Sequence, residues 1–378
     1  MLKVLQVYRT YFPDTQGGAE EVIRQIAIGV TRSSGECKII VPSKKVKKIE
    51  CILIGGIEVF RIPEIIEFAS CNMFAKGFSK FQELVGWADV VHYHFPWPFQ
   101  DIMHASLSKK LRGEKKFIAT YHADIVKQQF LLKLYSPLMH WFLGQMDSIV
   151  ASSINYSQNS LVLRPYLSKV KVIPFGLDES TLPLLTQDNR AEWKSKVGED
   201  FFLFIGVLRY YKGLHILLKA AQDQDFRVVI AGDGHQRSIL ETMVAQYNLT
   251  NVTMVGRVSD QDKVSLLDLS KGIVMPSFLR SEAFGIALLE GLSAGKPLIT
   301  ADIDSGMSFV NQNGETGIWV APESISSLRD ALNNLNGNPL LCSKLGANAR
   351  KRFESEFTNK LMSDRYMKLY HSLLNVSL

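Results

Sequence analysis

Cysteine is scarce in this chain of 378 residues, which has four in all. Cys37, Cys51, Cys71 and Cys342 are scattered, form no CxxC pair and have no histidine at zinc-site spacing. A disulfide framework and a zinc finger are therefore excluded, and reduced thiols in a cytosolic protein are expected. No apolar run reaches the ~18 residues that a membrane-spanning helix requires. Met1 to Tyr8 reads as a first buried strand and not as an export signal. HExxH and Walker sequences are missing, which argues against the zinc proteases and ATPases that use them. In Gly232-Asp233-Gly234 the third glycine of a dinucleotide fingerprint would fall at Arg237, so a nicotinamide or flavin enzyme is unsupported. There is no short repeat and no segment of low complexity.

What is present is an ordinary balance of 46% hydrophobic and 21% charged residues, long enough for two domains. The net charge of +6 arises in residues 1 to 180. It includes Lys44, Lys45, Lys47 and Lys48, then Lys109, Lys110, Arg112, Lys115 and Lys116. These residues suit solvated loops and helix ends, or a phosphate-bearing partner or anionic membrane surface.

Short runs rich in Val and Ile alternate with longer helical patterns along the whole chain, the signature of parallel sheets with crossover helices. Strands are expected near 3–8, 37–42, 57–62, 89–94, 117–121, 148–152 and 170–174. The pattern lapses between Pro174 and Asn189, where Pro183 and lost periodicity suggest a linker. A second series is expected near 202–207, 226–231, 251–255, 272–276, 297–301 and 316–320. The expected domains are 1–185 and 186–356, followed by a final helical segment, 357–378. Two such domains facing each other would leave a central cleft at the carboxyl ends of both sheets, where open α/β folds place ligands.

Several segments at strand ends can carry chemistry. Ser277 to Ser281 reads as a loop, and the residues from Glu282 to Gly291 as an apolar helix. A loop feeding a helix there offers N–H groups and a positive dipole end to a diphosphate or to sugar hydroxyls. On one ideal helix Glu282 and Glu290 would stand ~12 Å apart along the axis and ~80° around it. Spacing alone leaves open whether they bind a ligand or are surface acids, although the apolar setting of Glu290 makes an idle carboxylate costly. Phe204 to Gly213 is a strand, a loop and a helix start, with Arg209 and Lys212 as cations for phosphate or for the surface. Tyr11 to Glu21 is a loop whose Gly17 and Gly18 permit close backbone approach before a helix. His122 stands at a strand's carboxyl end, either within reach of a ligand or as a satisfied structural residue. His92 and His94 share one strand face but have no third ligand for zinc. Asp302-Ile303-Asp304 reads as a strand end, and no metal site is expected.

An acid, then Phe-Gly-Ile, then a second Glu after seven intervening residues resembles the signature of the retaining glycosyltransferases of family 4. That family has the GT-B fold, an α/β architecture of two Rossmann-like doubly wound domains facing a central cleft. The resemblance spans most of the chain and is strongest from about 200 to 320. It implies that Glu282 lies beside the transferred sugar, that the backbone of Ala283, Phe284, Gly285 and Ile286 touches it, and that Glu290 binds the ribose hydroxyls. Lys212 matches the family's Lys-Gly. The family's arginine directly follows the first glycine, a place held here by Val207, and Arg209 comes two residues later. Gly17 and Gly18 fall in the family's Gly-Gly-Ala-Glu turn, and His122 matches a histidine that contacts the transferred sugar. Gly232, Gly234, Arg257 and Val258 would border base and phosphates, or simply form tight turns. The C-terminal domain would hold the donor and the N-terminal domain the acceptor. The last helix, near 357–375, would cross back to brace the first domain.

Gly206 to Gly213 and Ser281 to Glu290 are also similar to bacterial mannosyltransferases of O-antigen synthesis. This implies GDP-mannose as donor, a lipid-linked saccharide as acceptor, and a place in the cytoplasm or at the cytoplasmic face of the inner membrane. Aromatic and cationic residues mix in Lys76 to Phe81 and Lys127 to Tyr135, which suits a bilayer surface or core packing equally. Neither a cofactor nor a nucleic acid is expected, and the oligomeric state is open. The alternatives are a UDP-sugar transferase, a nucleotide-sugar epimerase on the same fold, and a non-catalytic sugar-binding protein.

Overall fold

The computed structural model describes residues 1–68, 71–74, 76–125 and 129–375. The chain divides into two compact units, one of Met1–Phe175 with Asn359–Leu378 and one of Gly176–Thr358.

The first unit contains β1 (Lys3–Val7), β2 (Glu36–Ser43), β3 (Glu50–Ile54), β4 (Ile57–Pro63), β5 (Ile66–Phe68), β6 (Cys71–Met73), β7 (Val90–Phe95), β8 (Lys116–Tyr121), β9 (Ser148–Ala151) and β10 (Val170–Val172). Eight of them form a sheet in the order β10-β9-β8-β7-β1-β2-β4-β3, parallel except where β3 meets β4. Val4, Leu5, Val90, Val91 and Ile118 are wholly buried. A parallel sheet covered on both faces demands such near-continuous apolar strands, which is why they show in the sequence. β3 instead alternates half-buried and exposed residues at the sheet's edge. It is missing from the expected strands, as is the separate antiparallel pair β5–β6. The overlooked signal for β3 is Gly55-Gly56, both at positive φ, a two-residue turn between paired strands.

The helix Asn359–Leu373 belongs to this first unit, where it packs on the helix Gly18–Arg32. A Cβ on Gly29 would lie 2.0 Å from Ser363 Oγ, so glycine sets the approach of the two helices. Asn359 Nδ2 donates to the carbonyl and side-chain oxygens of Gln25 at 2.8 and 2.7 Å. In the Lys76 to Phe81 segment Phe81 is buried and Phe78 packs against Phe74 and Phe99, so core packing accounts for these aromatics. Lys127 lies outside the described residues.

The second unit contains β11 (Phe201–Ile205), β12 (Arg227–Ala231), β13 (Val252–Gly256), β14 (Ser270–Met275), β15 (Leu298–Ala301) and β16 (Gly317–Val320). They form one parallel sheet in the order β13-β12-β11-β14-β15-β16. All thirteen expected strands are present, with ends within two residues of those expected.

In each sheet the order of the parallel strands reverses once, between β1 and β7 in the first unit and between β11 and β14 in the second. At such a switch point the loops beyond the carboxyl ends run to opposite faces and leave a crevice. Among the described residues no helix is long and apolar enough to cross a membrane.

Candidate active site

Lys212 and Glu282 come from the two loops that flank the second unit's switch point. Lys212 follows β11 and Glu282 follows β14. The loops are pressed together: a Cβ on Gly213, at φ 72°, would lie 2.1 Å from the carbonyl oxygen of Pro276. Phe278 N–H donates to Tyr211 O at 3.0 Å. Both side chains are buried and form an ion pair, and Ser277 Oγ donates to Glu282 Oε2 at 3.3 Å. Burial pulls the Lys212 ammonium down, but the Glu282 carboxylate, helped by Tyr211, more than offsets it, and the net shift is upward. Arg209, three residues earlier, is exposed and makes no ion pair among the described residues.

The helix expected from Glu282 begins only at Ile286, so the two acids do not share one helix. Gly285, at φ 82° and ψ 76°, is its N-cap, and Ser281 to Phe284 form turns and bends. This left-handed step suits glycine and delays the helix, which leaves Glu282 on the loop facing Lys212. Ala283 and Phe284 are buried, and the Ala283 carbonyl accepts from Gly306 N–H at 2.8 Å. The first turn of Ile286–Ser293 presents backbone N–H groups beside them.

Glu290 lies on that helix, buried, with Lys263 Nζ 2.6 Å from Oε1. Lys263 also meets Asp260 at 3.0 Å. Burial alone would lower the Lys263 pKa, but Glu290 and then Asp260 raise it strongly overall. The carboxyl oxygens of Glu290 can accept from hydroxyls.

The other expected residues of this unit lie at the ends of β12 and β13. A Cβ on Gly232 would lie 1.9 Å from Gly206 O, and one on Gly234 would lie 2.6 Å from Leu208 O. Leu208 N–H donates to Asp233 O at 2.9 Å and Gly232 N–H to Gly256 O at 2.7 Å. These glycines thus let three successive loops knit together at the sheet's carboxyl edge. Arg257 is exposed and Val258 half-buried just before the capping box that opens Asp260–Leu269. Asp302 accepts from Ser308 Oγ at 3.3 Å within its own loop, and Asp304 Oδ2 lies 3.6 Å from Arg280 on the loop after β14.

In the first unit Gly17 is the N-cap of Gly18–Arg32, which follows the loop after β1. A Cβ on Gly17 would crowd the carboxylate of Glu20, itself held by Thr15 at 2.8 Å. The loop is anchored by Asp14, which pairs with Arg61 at 2.6 Å and accepts from Ser43 Oγ at 2.5 Å. His122 follows β8, and its Nε2 lies 2.8 Å from Nδ1 of His94 on β7. The ring sits among Tyr8, His94 and Phe175. Burial, with the Arg9 guanidinium nearby, holds its pKa down at about 3, so the imidazole is neutral.

Comparison with known proteins decides what this arrangement belongs to. Residues 186–352 match the model described as glycosyl transferases group 1, and residues 16–181 match glycosyltransferase family 4. The chain is 41% identical over 373 residues, 99% of either protein, to the O-antigen chain mannosyltransferase C of Escherichia coli. It is 44% identical over 361 residues to the D-rhamnosyltransferase WbpZ of Pseudomonas aeruginosa, covering 94% of this chain and 92% of that one. The chain belongs to glycosyltransferase family 4. Its fold is GT-B, like that of sucrose-phosphate synthase from Thermosynechococcus elongatus, with a TM-score of 0.80 over 100% of both chains at 19% identity.

Three polar partners in this glycosyltransferase escape motif reading. Lys263 lies 27 residues before Glu290, and no spacing links them. Ser277 lies within the quoted loop without a distinguishing feature. His94 carries the one usable signal: with His92 it puts two imidazoles on a single strand face, and that face also receives His122.

Proposed function

We propose that this glycosyltransferase moves mannose, or a sugar of the same ring configuration, from a GDP-linked donor to a lipid-linked saccharide, with retention at the anomeric carbon. The product would belong to O-antigen or a related polysaccharide. The observation that carries the reading is the buried Lys212–Glu282 pair at the switch point of the second sheet. An acid for the sugar and a cation for the departing diphosphate stand there side by side. Near full-length likeness to a mannosyltransferase and a D-rhamnosyltransferase supports the sugar, since D-rhamnose is mannose without its 6-hydroxyl.

In this reading Lys212 and Arg209 stabilise negative charge that builds on the outer phosphate as the glycosidic bond breaks. Glu282 and the backbone from Ala283 to Ile286 hold the sugar, with His122 as a further contact. Glu290, paired with Lys263, accepts from the ribose hydroxyls. The leaving phosphate takes the proton of the acceptor hydroxyl on the same face, so no glycosidase-like pair of carboxylates is needed. No metal is required. The acceptor's lipid brings the enzyme to the cytoplasmic face of the membrane, where Lys47 and Lys48 are exposed, whereas Lys44 is paired with Glu67 and Lys45 with Asp14.

The test is transfer from GDP-mannose, GDP-D-rhamnose and UDP-glucose to a lipid-linked saccharide, with and without excess chelator. Efficient use of UDP-glucose alone sinks the GDP assignment, and loss in chelator restored by a divalent cation sinks the metal-free one. An inverted anomer sinks retention. An epimer formed from donor without acceptor replaces transfer by epimerisation.

A further inference from the structure

We infer that Gln6 and His94 are positioning residues that hold His122 in the tautomer with its proton on Nε2, which presents a bare Nδ1 to a hydroxyl of the bound sugar. The inference rests on the proposed contact of His122 with that sugar and adds how the contact is polarised.

The three residues come from neighbouring strands in the order β1, β7, β8. Gln6 lies on β1, His94 on β7 and His122 directly after β8. Gln6 and His94 are wholly buried, whereas His122 is only half-buried. His94 Nε2 lies 2.6 Å from Gln6 Oε1, and His94 Nδ1 lies 2.8 Å from His122 Nε2. A carbonyl oxygen can only accept, so His94 bears its proton on Nε2 and offers a lone pair at Nδ1. That lone pair accepts from His122 Nε2–H. A neutral imidazole has one N–H, so His122 Nδ1 is bare, and it has no partner among the described residues.

Two neighbours define the near end of this relay. Gln6 Nε2 faces the Cys37 thiol and has no hydrogen-bond partner among the described residues, while Gln6 Oε1 is the atom that meets His94. His92 cannot compete for either nitrogen of His94, because its Nδ1 and Nε2 are engaged by Tyr370 at 2.9 Å and Thr120 at 2.7 Å. The rings also exclude charge from one another. His92 and His94 stack at 4.6 Å and His94 and His122 at 5.1 Å, so a proton gained by any of them would be repelled in a buried stack. Burial, with the neighbouring rings, keeps His94 far below the usual histidine pKa. The separate His92 network is closed through Tyr370, Thr120 and Tyr366, whereas the relay ends at His122 on an open lone pair.

The experiment labels the histidines with ¹⁵N and reads two-bond proton–nitrogen couplings in the full chain, with the His122 ring assigned by its loss in His122→Gln. The expected wild-type spectrum shows His122 with its proton on Nε2 and Nδ1 bare, unchanged between pH 5.5 and 8. In Gln6→Met, of similar volume, His94 loses its acceptor, and His122 is expected to populate the Nδ1–H form. Transfer kcat is then expected to fall about tenfold, with KM for the donor changed much less. A wild-type His122 protonated on Nδ1 overturns the relay, and that spectrum needs neither the variant nor the donor. An unchanged His122 tautomer in folded Gln6→Met also overturns it. A switched tautomer with unchanged kcat overturns the relay's part in transfer. Absence of any transfer by the wild type, with the expected spectrum, strikes the proposed function and leaves the relay standing.

Discussion

Lys212 and Glu282 lie 70 positions apart and meet as a buried ion pair because the strands that precede them, β11 and β14, are neighbours where the sheet order reverses. Breaking such a pair from one side leaves a buried charge unmatched, at a cost of ~3–5 kcal/mol. Lys212→Met and Glu282→Leu are each expected to lower stability by about that amount. The double variant should recover most of it, while all three lose at least ~100-fold in kcat. Urea unfolding beside transfer assays checks this, and a double variant no more stable than the singles would contradict it.

Arg209 is exposed and unpaired among the described residues, so Arg209→Ala should change unfolding by less than ~0.5 kcal/mol. If the guanidinium meets the leaving diphosphate, kcat/KM falls about tenfold or more. Unchanged kcat/KM would remove Arg209 from the donor site.

Lys263 Nζ stands 2.6 Å from Glu290 Oε1, and Lys263→Met removes that partner from a buried carboxyl group. Without its cation that group is held less firmly for the ribose hydroxyls, so GDP should bind about tenfold more weakly. Calorimetry of GDP binding checks this, and an unchanged affinity would contradict a part for the Lys263–Glu290 pair in the donor site.

His92, held at about 3 by burial and His122, and His104, held at about 4 by burial and Arg112, have folded pKa values below the ordinary histidine value. Below about pH 6.5 the unfolded chain binds protons that the folded chain does not. Stability is therefore full above that pH and falls as pH drops toward 4, by ~1.4 kcal/mol per pH unit for each such histidine. Melting curves at pH 7.5, 6 and 5 measure the slope. A flat profile would show that these imidazoles are protonated in the fold.

Gly213→Ala combines a positive φ with a Cβ that would lie 2.1 Å from Pro276 O. The loops would have to part, with a loss of ~2 kcal/mol or more and transfer reduced with it. A folded Gly213→Ala protein with normal kcat would show that loop contact to be dispensable.

Much of this protein is determined by its sequence alone. Thirteen strands are legible, the central ones such as β1, β7 and β8 because parallel strands buried on both faces must be apolar along their length, and Glu282, Phe284, Gly285 and Glu290 are recognisable because their spacing resembles a family signature. β3 is not legible in that way, since an edge strand with one wet face has no such run, and only Gly55-Gly56 marks it. Other matters were decided by tertiary structure. Gly285 enters the left-handed region and starts the helix late, which puts Glu282 on a loop opposite Lys212 and not on the helix with Glu290. Lys263 finds Glu290, and Gln6 finds His122 through His94, across strands and helices that are distant in the chain. Local propensity is written residue by residue, but a hydrogen bond or an ion pair depends on which loops the sheet order brings together, and that order exists only in the folded chain.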